Sequence, residues 1–222
     1  MTAPRVDLYG IIHKMIRAEL FNTAALIART NFASAEERGH ALETLGTTMG
    51  FLDEHNGHED NYVAPALQAA NADLAAQVAA EHVALDGQCK CIAEVMENLG
   101  GAEGDAAVGA GALLHRAFSE FCGAYLTHLS VEEGAVNAAL WAKYSDEELV
   151  QIRTELQGSI PPPRFAQWFA RMVPAMNLQE RVGVLTGMKM NAPPPVFEAM
   201  SGVAKEAIGA DAWAEVEAAL PG

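Results

Sequence analysis

Two stretches of this chain repeat one pattern, and the pattern is helical. His55-x-x-x-Glu59, followed by Val63 and Leu67, is echoed by His128-x-x-x-Glu132, followed by Val136 and Leu140. Residues four apart lie one turn apart on the same helical face, so each histidine stands over a carboxylate. Both pairs sit in apolar stretches, where an unpaired charge is costly to bury. Further single histidines, His13 and His82, fall on the apolar faces of two other helical stretches. The pattern points to helices gathered around an internal metal.

Helical periodicity runs through the first two-thirds of the chain, and strand character is scarce. A first helix is expected over about 6–29, with Tyr9, Ile12, Ile16, Leu20 and Ile27 on the face that carries His13. Ser34, with Glu37 three residues on, has the form of a capping box that opens a second helix. That helix aligns Leu45, Thr48, Leu52, His55, Glu59, Tyr62 and Val63, and Pro65 is expected to kink or thin it near its end. Asn71 or Asp73 can cap a third helix, with Leu74, Val78, His82, Leu85, Cys89, Ile92, Met96 and Leu99 in line. Gly100, Gly101 and Gly104 break the chain, and a fourth helix follows over about 105–144 with Leu114, Phe118, Phe121, Tyr125, His128 and Glu132 in register. Short connections between long helices imply antiparallel neighbours, so the expected fold is all-α, an up-down-up-down four-helix bundle over 1–144. Counted along such a bundle, the four histidines differ in depth by roughly 8–9 Å at about 1.5 Å per residue, a gap that tilt and turn residues can absorb.

The texture changes from Ser145 onward. Ser145 and Glu148 form another capping-box pattern, and the triplets Pro161 to Pro163 and Pro193 to Pro195 interrupt the chain. Short amphipathic segments lie between them, around Phe165, Trp168 and Phe169, then Leu178, Val182 and Leu185, then Phe197, Ala204, Trp213 and Leu220. Residues 145–222 are therefore read as an extension of short helices that packs on the bundle or pairs two subunits into a homodimer.

The six candidate ligands are His13, His55, Glu59, His82, His128 and Glu132. Four imidazoles with two carboxylates suit first-row transition metals, whereas calcium or magnesium want mostly oxygen. Six donors exceed what one tetrahedral zinc takes. Two irons bridged by the carboxylates would use all six and keep positions open for oxygen, nitric oxide or peroxide. The same donors also accept zinc or manganese.

With His13 upstream, the stretches around 55–67, 81–86 and 128–140 resemble the hemerythrin-like HHE cation-binding family over roughly residues 5–143. The resemblance implies a four-helix bundle with a non-haem di-iron centre between the helices. In it, Glu59 and Glu132 would bridge the ions and His13, His55, His82 and His128 would be terminal ligands. Oxygen-carrying members have His-x-x-x-His on the third helix, but here Asp86 stands four after His82 and Val78 four before it. Asp86, His58 or water can fill that position. Those members also place the second carboxylate five residues after the last histidine, which would select Glu133; the repeat of the four-residue step selects Glu132 instead. A site richer in oxygen donors favours sensing, redox or iron handling over reversible oxygen carriage. A di-iron oxidase is the competing enzyme reading, weakened because only Glu37 and His40 show the Glu-x-x-His spacing of oxidase-type bundles. A structural module that uses the metal as a staple is the third.

Composition excludes several other classes. The net charge is −15, from 14 basic and 29 acidic residues, and Lys and Arg form no run, so neither nucleic acid nor an anionic membrane surface is an expected partner. No basic segment followed by an apolar core opens the chain, and three cysteines make no disulfide framework, so a reducing cytoplasm fits best. Cys89, Cys91 and Cys122 are expected as small buried or half-buried residues, His115 as a surface residue, and His40 as too far along its helix to share the centre. Met172, Met176, Met188, Met190 and Met200 are irregularly spaced and read as core or interface filling.

Overall fold

The computed structural model describes residues 5–221, and among them the regular structure is entirely helical. Eight helices follow one another: α1 (Gly10–Arg29), α2 (35–70), α3 (Ala72–Gly100), α4 (104–143), α5 (Asp146–Ser159), α6 (Pro162–Ala175), α7 (Leu178–Asn191) and α8 (Pro194–Ala219). Two of them change winding along their length. In α2 a π-helical turn, Glu59–Val63, separates Ala35–His58 from Ala64–Ala70; in α4 the turn Glu132–Val136 separates Gly104–Val131 from Asn137–Lys143. No helix among the described residues is long and apolar enough to cross a membrane.

Contacts divide the chain into two compact units, Met1–Asp7 with Ile16–Arg153, and Leu8–Met15 with Thr154–Gly222. In the first unit, α3 packs along α4 and also against α2. A buried hydroxyl pair, Thr23 and Thr48 at 2.8 Å, ties α1 to α2, and the Tyr144 hydroxyl donates to the Ala66 carbonyl to join the ends of α4 and α2. Leu20, Leu45, Leu52, Phe118, Phe121 and Tyr125 are fully buried there. Each such side chain contributes about 1.5–3 kcal/mol relative to exposure.

Local chemistry explains where helices begin. Helix α1 starts at Gly10, later than its periodicity suggests, because the preceding residues are bound elsewhere. The Arg5 guanidinium holds Asp146 and the carbonyls of Trp141 and Tyr144, while the Trp141 indole donates to the Val6 carbonyl. At α2 the Ser34 hydroxyl accepts from the Glu37 amide, but the Glu37 carboxylate reaches back to Asn31, completing a turn rather than a reciprocal box. Asn71 caps α3 by accepting from Leu74. Pro65 does not end α2; it stands in the first turn after the π segment, where a missing N–H costs least. Gly111 of α4 faces the Phe32 ring so closely that a Cβ there would lie 2.2 Å from it.

The second unit has its own core: Phe169, Val173, Leu185, Met200, Ala204, Trp213 and Val216. The proline triplets supply helix starts as well as breaks, with Pro162 and Pro194 as first residues of α6 and α8. Asn177 and Glu180 form a full capping box at α7. Gly209, at φ 79°, bends α8 in a way that side-chain-bearing residues resist. Met176 and Met200 fill core as expected, whereas Met190 is 78% exposed.

Candidate metal centre

Helices α2 and α4 each present a line of inward residues with an unbroken four-residue step: His55, Glu59, Val63, Leu67, and His128, Glu132, Val136, Leu140. All eight are buried. A uniform α-helix cannot keep such a line on one face, because twelve residues at about 100° each overshoot three turns by about 120°. The π turns absorb one residue apiece and reduce the drift to about 20°. The Ala64 amide bonds back to the Glu59 carbonyl and the Asn137 amide to Glu132, five residues in each case. Each widened turn opens on the carboxylate that faces the centre.

The donors crowd together. Nε2 of His82 and Nε2 of His128 lie 3.1 Å apart, with their rings edge to face. The Glu132 carboxylate approaches them at 3.2 Å from His128 and 3.8 Å from His82. Glu59 lies 3.2 Å from His55 Nε2 and 3.7 Å from His82 Nε2. The outer nitrogens of both rings are engaged: His82 Nδ1 is 2.8 Å from Asp60, and His128 Nδ1 is 2.8 Å from Glu81. A carboxylate only accepts, so Nδ1 carries the proton and a neutral ring turns its Nε2 lone pair inward. The Tyr125 ring packs edge-on to His128, and its hydroxyl donates to Asn56 at 2.7 Å.

Two facing lone pairs beside buried carboxylates repel unless an electrophile sits among them. A proton can play that part. Burial lowers the affinity of His82 and His128 for protons, but bonds to Glu132, Asp60 and Glu81 outweigh it and both pKa values rise. Burial, then the charge of Glu132, drives Glu59 well above the usual carboxylate range. Burial pushes Glu132 up as well, yet the two imidazoles hold it down. Without a metal, protons bind the cluster together.

A metal ion is the other electrophile that this donor set fits. Imidazole Nε2 and carboxylate oxygen are ligands for first-row transition metals, which displace such protons on binding. Two buried groups have ligand atoms within 4.8 Å of one another: Glu59, His82, His128 and Glu132, and His13, His55, Glu59 and Glu132. The six residues singled out in the sequence are thus all buried, and Glu59 and Glu132 belong to both groups. These buried clusters can hold a metal ion.

No family model, curated protein or solved structure matches this chain. Its chemistry rests on its own donors.

Other candidates lie outside the two groups. Asp86 is exposed, as are His40 and His115. His58 is half-buried, and burial, opposed by Glu54, lowers its pKa. Glu133 turns from the centre to Arg17. Cys89 is half-buried and Cys122 buried, but Cys91 is exposed, contrary to the reading of all three as inside residues; it sits on an outer face of α3. Sequence reasoning did not assign Asp60 or Glu81 their contacts with the two imidazoles. A signal was present: Asp60 directly follows one buried donor and Glu81 directly precedes another.

Proposed function

We propose that this chain is a hemerythrin-like, non-haem di-iron protein whose first four helices form an up-down-up-down bundle. In this reading Glu59 and Glu132, with His13, His55, His82 and His128, would hold two irons. The protein senses or handles oxygen, nitric oxide or iron rather than turning over an organic substrate. The observation that supports it best is the pair of buried four-donor groups sharing Glu59 and Glu132. A carboxylate common to both groups could offer one oxygen to each of two ions, which a site for a single ion would not need.

When bound, a pair of iron ions supplies open coordination positions and one-electron chemistry toward small oxidants. The residues around it do the rest. His82 and His128 aim Nε2 inward, and Glu59 and Glu132 supply the negative charge that offsets the cations. Phe118, Phe121 and Tyr125 are buried on the helix that carries His128.

The test is metal analysis of protein purified without oxygen, followed by optical and Mössbauer spectra before and after oxygen is admitted. Near two irons per chain and a spectral change on oxygenation are expected. Far less than one iron overturns the reading, and zinc in its place removes the redox role. Sustained turnover of peroxide by the iron-loaded protein would make it an enzyme instead.

A further inference from the structure

We propose that Asp60 and Glu81 are positioning residues for a metal ion held by Glu59, His82, His128 and Glu132. The inference rests on the metal-binding reading above, and concerns residues that touch the ligands rather than the ion.

The geometry is a relay between helices. Asp60 of α2 holds His82 of α3, and Glu81 of α3 holds His128 of α4, both at 2.8 Å from Nδ1. Each of these carboxylates adjoins a donor in sequence, Asp60 after Glu59 and Glu81 before His82. Neighbours on a helix diverge by about 100°, so one member of each pair faces the centre and the other reaches sideways to the next helix. Along the relay, α2 and α3 each supply both a donor and the group that aims the next helix's donor.

Three consequences follow for His82 and His128. The bond at Nδ1 selects the tautomer whose lone pair is on Nε2. It fixes the ring plane, which otherwise turns freely about its last side-chain torsion. It also sets a negative charge against the far side of the ring, which strengthens Nε2 as a donor.

The repeat supplies an internal comparison. Glu133 occupies the place of Asp60 in the second copy, five residues after its histidine, yet it bonds Arg17. Asp60 is therefore not in place merely because the repeat puts an acid there. Its contact is specific to the His82 ring. Glu81 is partly sheltered and Asp60 is open to solvent, so Glu81 is the less screened of the two.

Zinc is the probe, since the same donors accept it and it leaves NMR signals sharp. In zinc-loaded wild-type protein, His82 and His128 are expected to show slowly exchanging Nδ1–H protons. Asp60→Ala and Glu81→Ala should each lose one of them. Asp60→Asn and Glu81→Gln, which keep shape but not charge, should weaken zinc binding about 10- to 100-fold, the usual effect of removing such a partner. Glu133→Gln should leave it unchanged. Unaltered affinity and unaltered Nδ1–H signals in both pairs of variants would overturn the proposal, as would a larger loss in Glu133→Gln. If the wild-type protein binds no metal, the functional reading itself fails; if it binds metal and all variants match it, only the relay fails. Circular dichroism of the metal-free variants separates lost folding from lost affinity, and the two independent carboxylates keep the test open if one variant is unstable.

Discussion

Alanine at Gly111 and alanine at Gly109 should act in opposite directions, although both positions lie on the same turn of α4. A Cβ at position 111 would come within 2.2 Å, 2.3 Å and 2.8 Å of three atoms of the Phe32 ring, where ordinary contact begins near 3.4 Å. The ring must retreat by roughly 1 Å, and overpacking of that kind costs about 1–3 kcal/mol. Retreat is hindered because the turn bearing Phe32 is tied down: Arg38 donates to the Phe32 carbonyl, and Asn31 and Glu37 bond the adjoining amides. Phe32 is itself only 7% exposed, so pushing it outward forfeits burial. Against this stands the better helix propensity of alanine, about 1 kcal/mol. The net expectation for Gly111→Ala is a loss of up to about 2 kcal/mol. Gly109 is exposed, and a Cβ added there would meet nothing within 4 Å, so Gly109→Ala should gain up to about 1 kcal/mol. Urea midpoints of the metal-free proteins measure both. A Gly111→Ala protein as stable as Gly109→Ala would refute the close approach of α4 to the α1–α2 turn.

In the metal-free protein, His82, His128 and Glu59 all have raised pKa values, from usual values of 6.5 and 4.5. Each contribution is full below the usual value and is lost as pH rises through the folded one, so the melting temperature should fall as pH rises above 4.5 for Glu59 and above 6.5 for the two histidines. Glu132 acts oppositely at the acid end, its contribution vanishing as pH drops below 4.5. Metal displaces the site's protons, so metal-loaded protein should instead gain on the metal-free form as pH rises; parallel curves would contradict a proton-held cluster. Tyr125→Phe leaves the buried Asn56 amide oxygen without its donor and should cost about 1–3 kcal/mol in denaturant unfolding, and no loss would count against that bond. Burial raises the Cys89 and Cys122 thiols to about 11, so a thiol reagent near neutral pH should label exposed Cys91 first and the other two only on unfolding.

Much of the fold was legible because the buried faces obey a period. The stripe through Val78, His82, Leu85 and Ile92 marks α3, and the Asn71 cap marks its start. Helix ends were harder where long-range bonds decide them: nothing local to residues 5–7 announces that Arg5 will bind Asp146 and the end of α4. Among the donors, His55 and Glu59 stand out because spacing alone puts them on one face. Asp60 and Glu81 do not, because an acid beside a buried residue looks like any solvated position until the neighbouring helix is in place. The bend at Gly209 has the same character, since one glycine in a helical stretch is compatible with straight and bent paths alike.

The π turns mean that each inward arm holds one surplus residue, looped out where it does no harm to what lies beyond. Shortening the chain by one position inside either bulge, at Asn61 or at Gly134, should let the backbone rewind as ordinary α-helix while Leu67 and Leu140 keep their places. The same deletion a few turns earlier would swing everything downstream by about 100° and turn the apolar side to solvent. Tolerance to deletion along these two helices should therefore peak beside the very carboxylates that the cluster needs most.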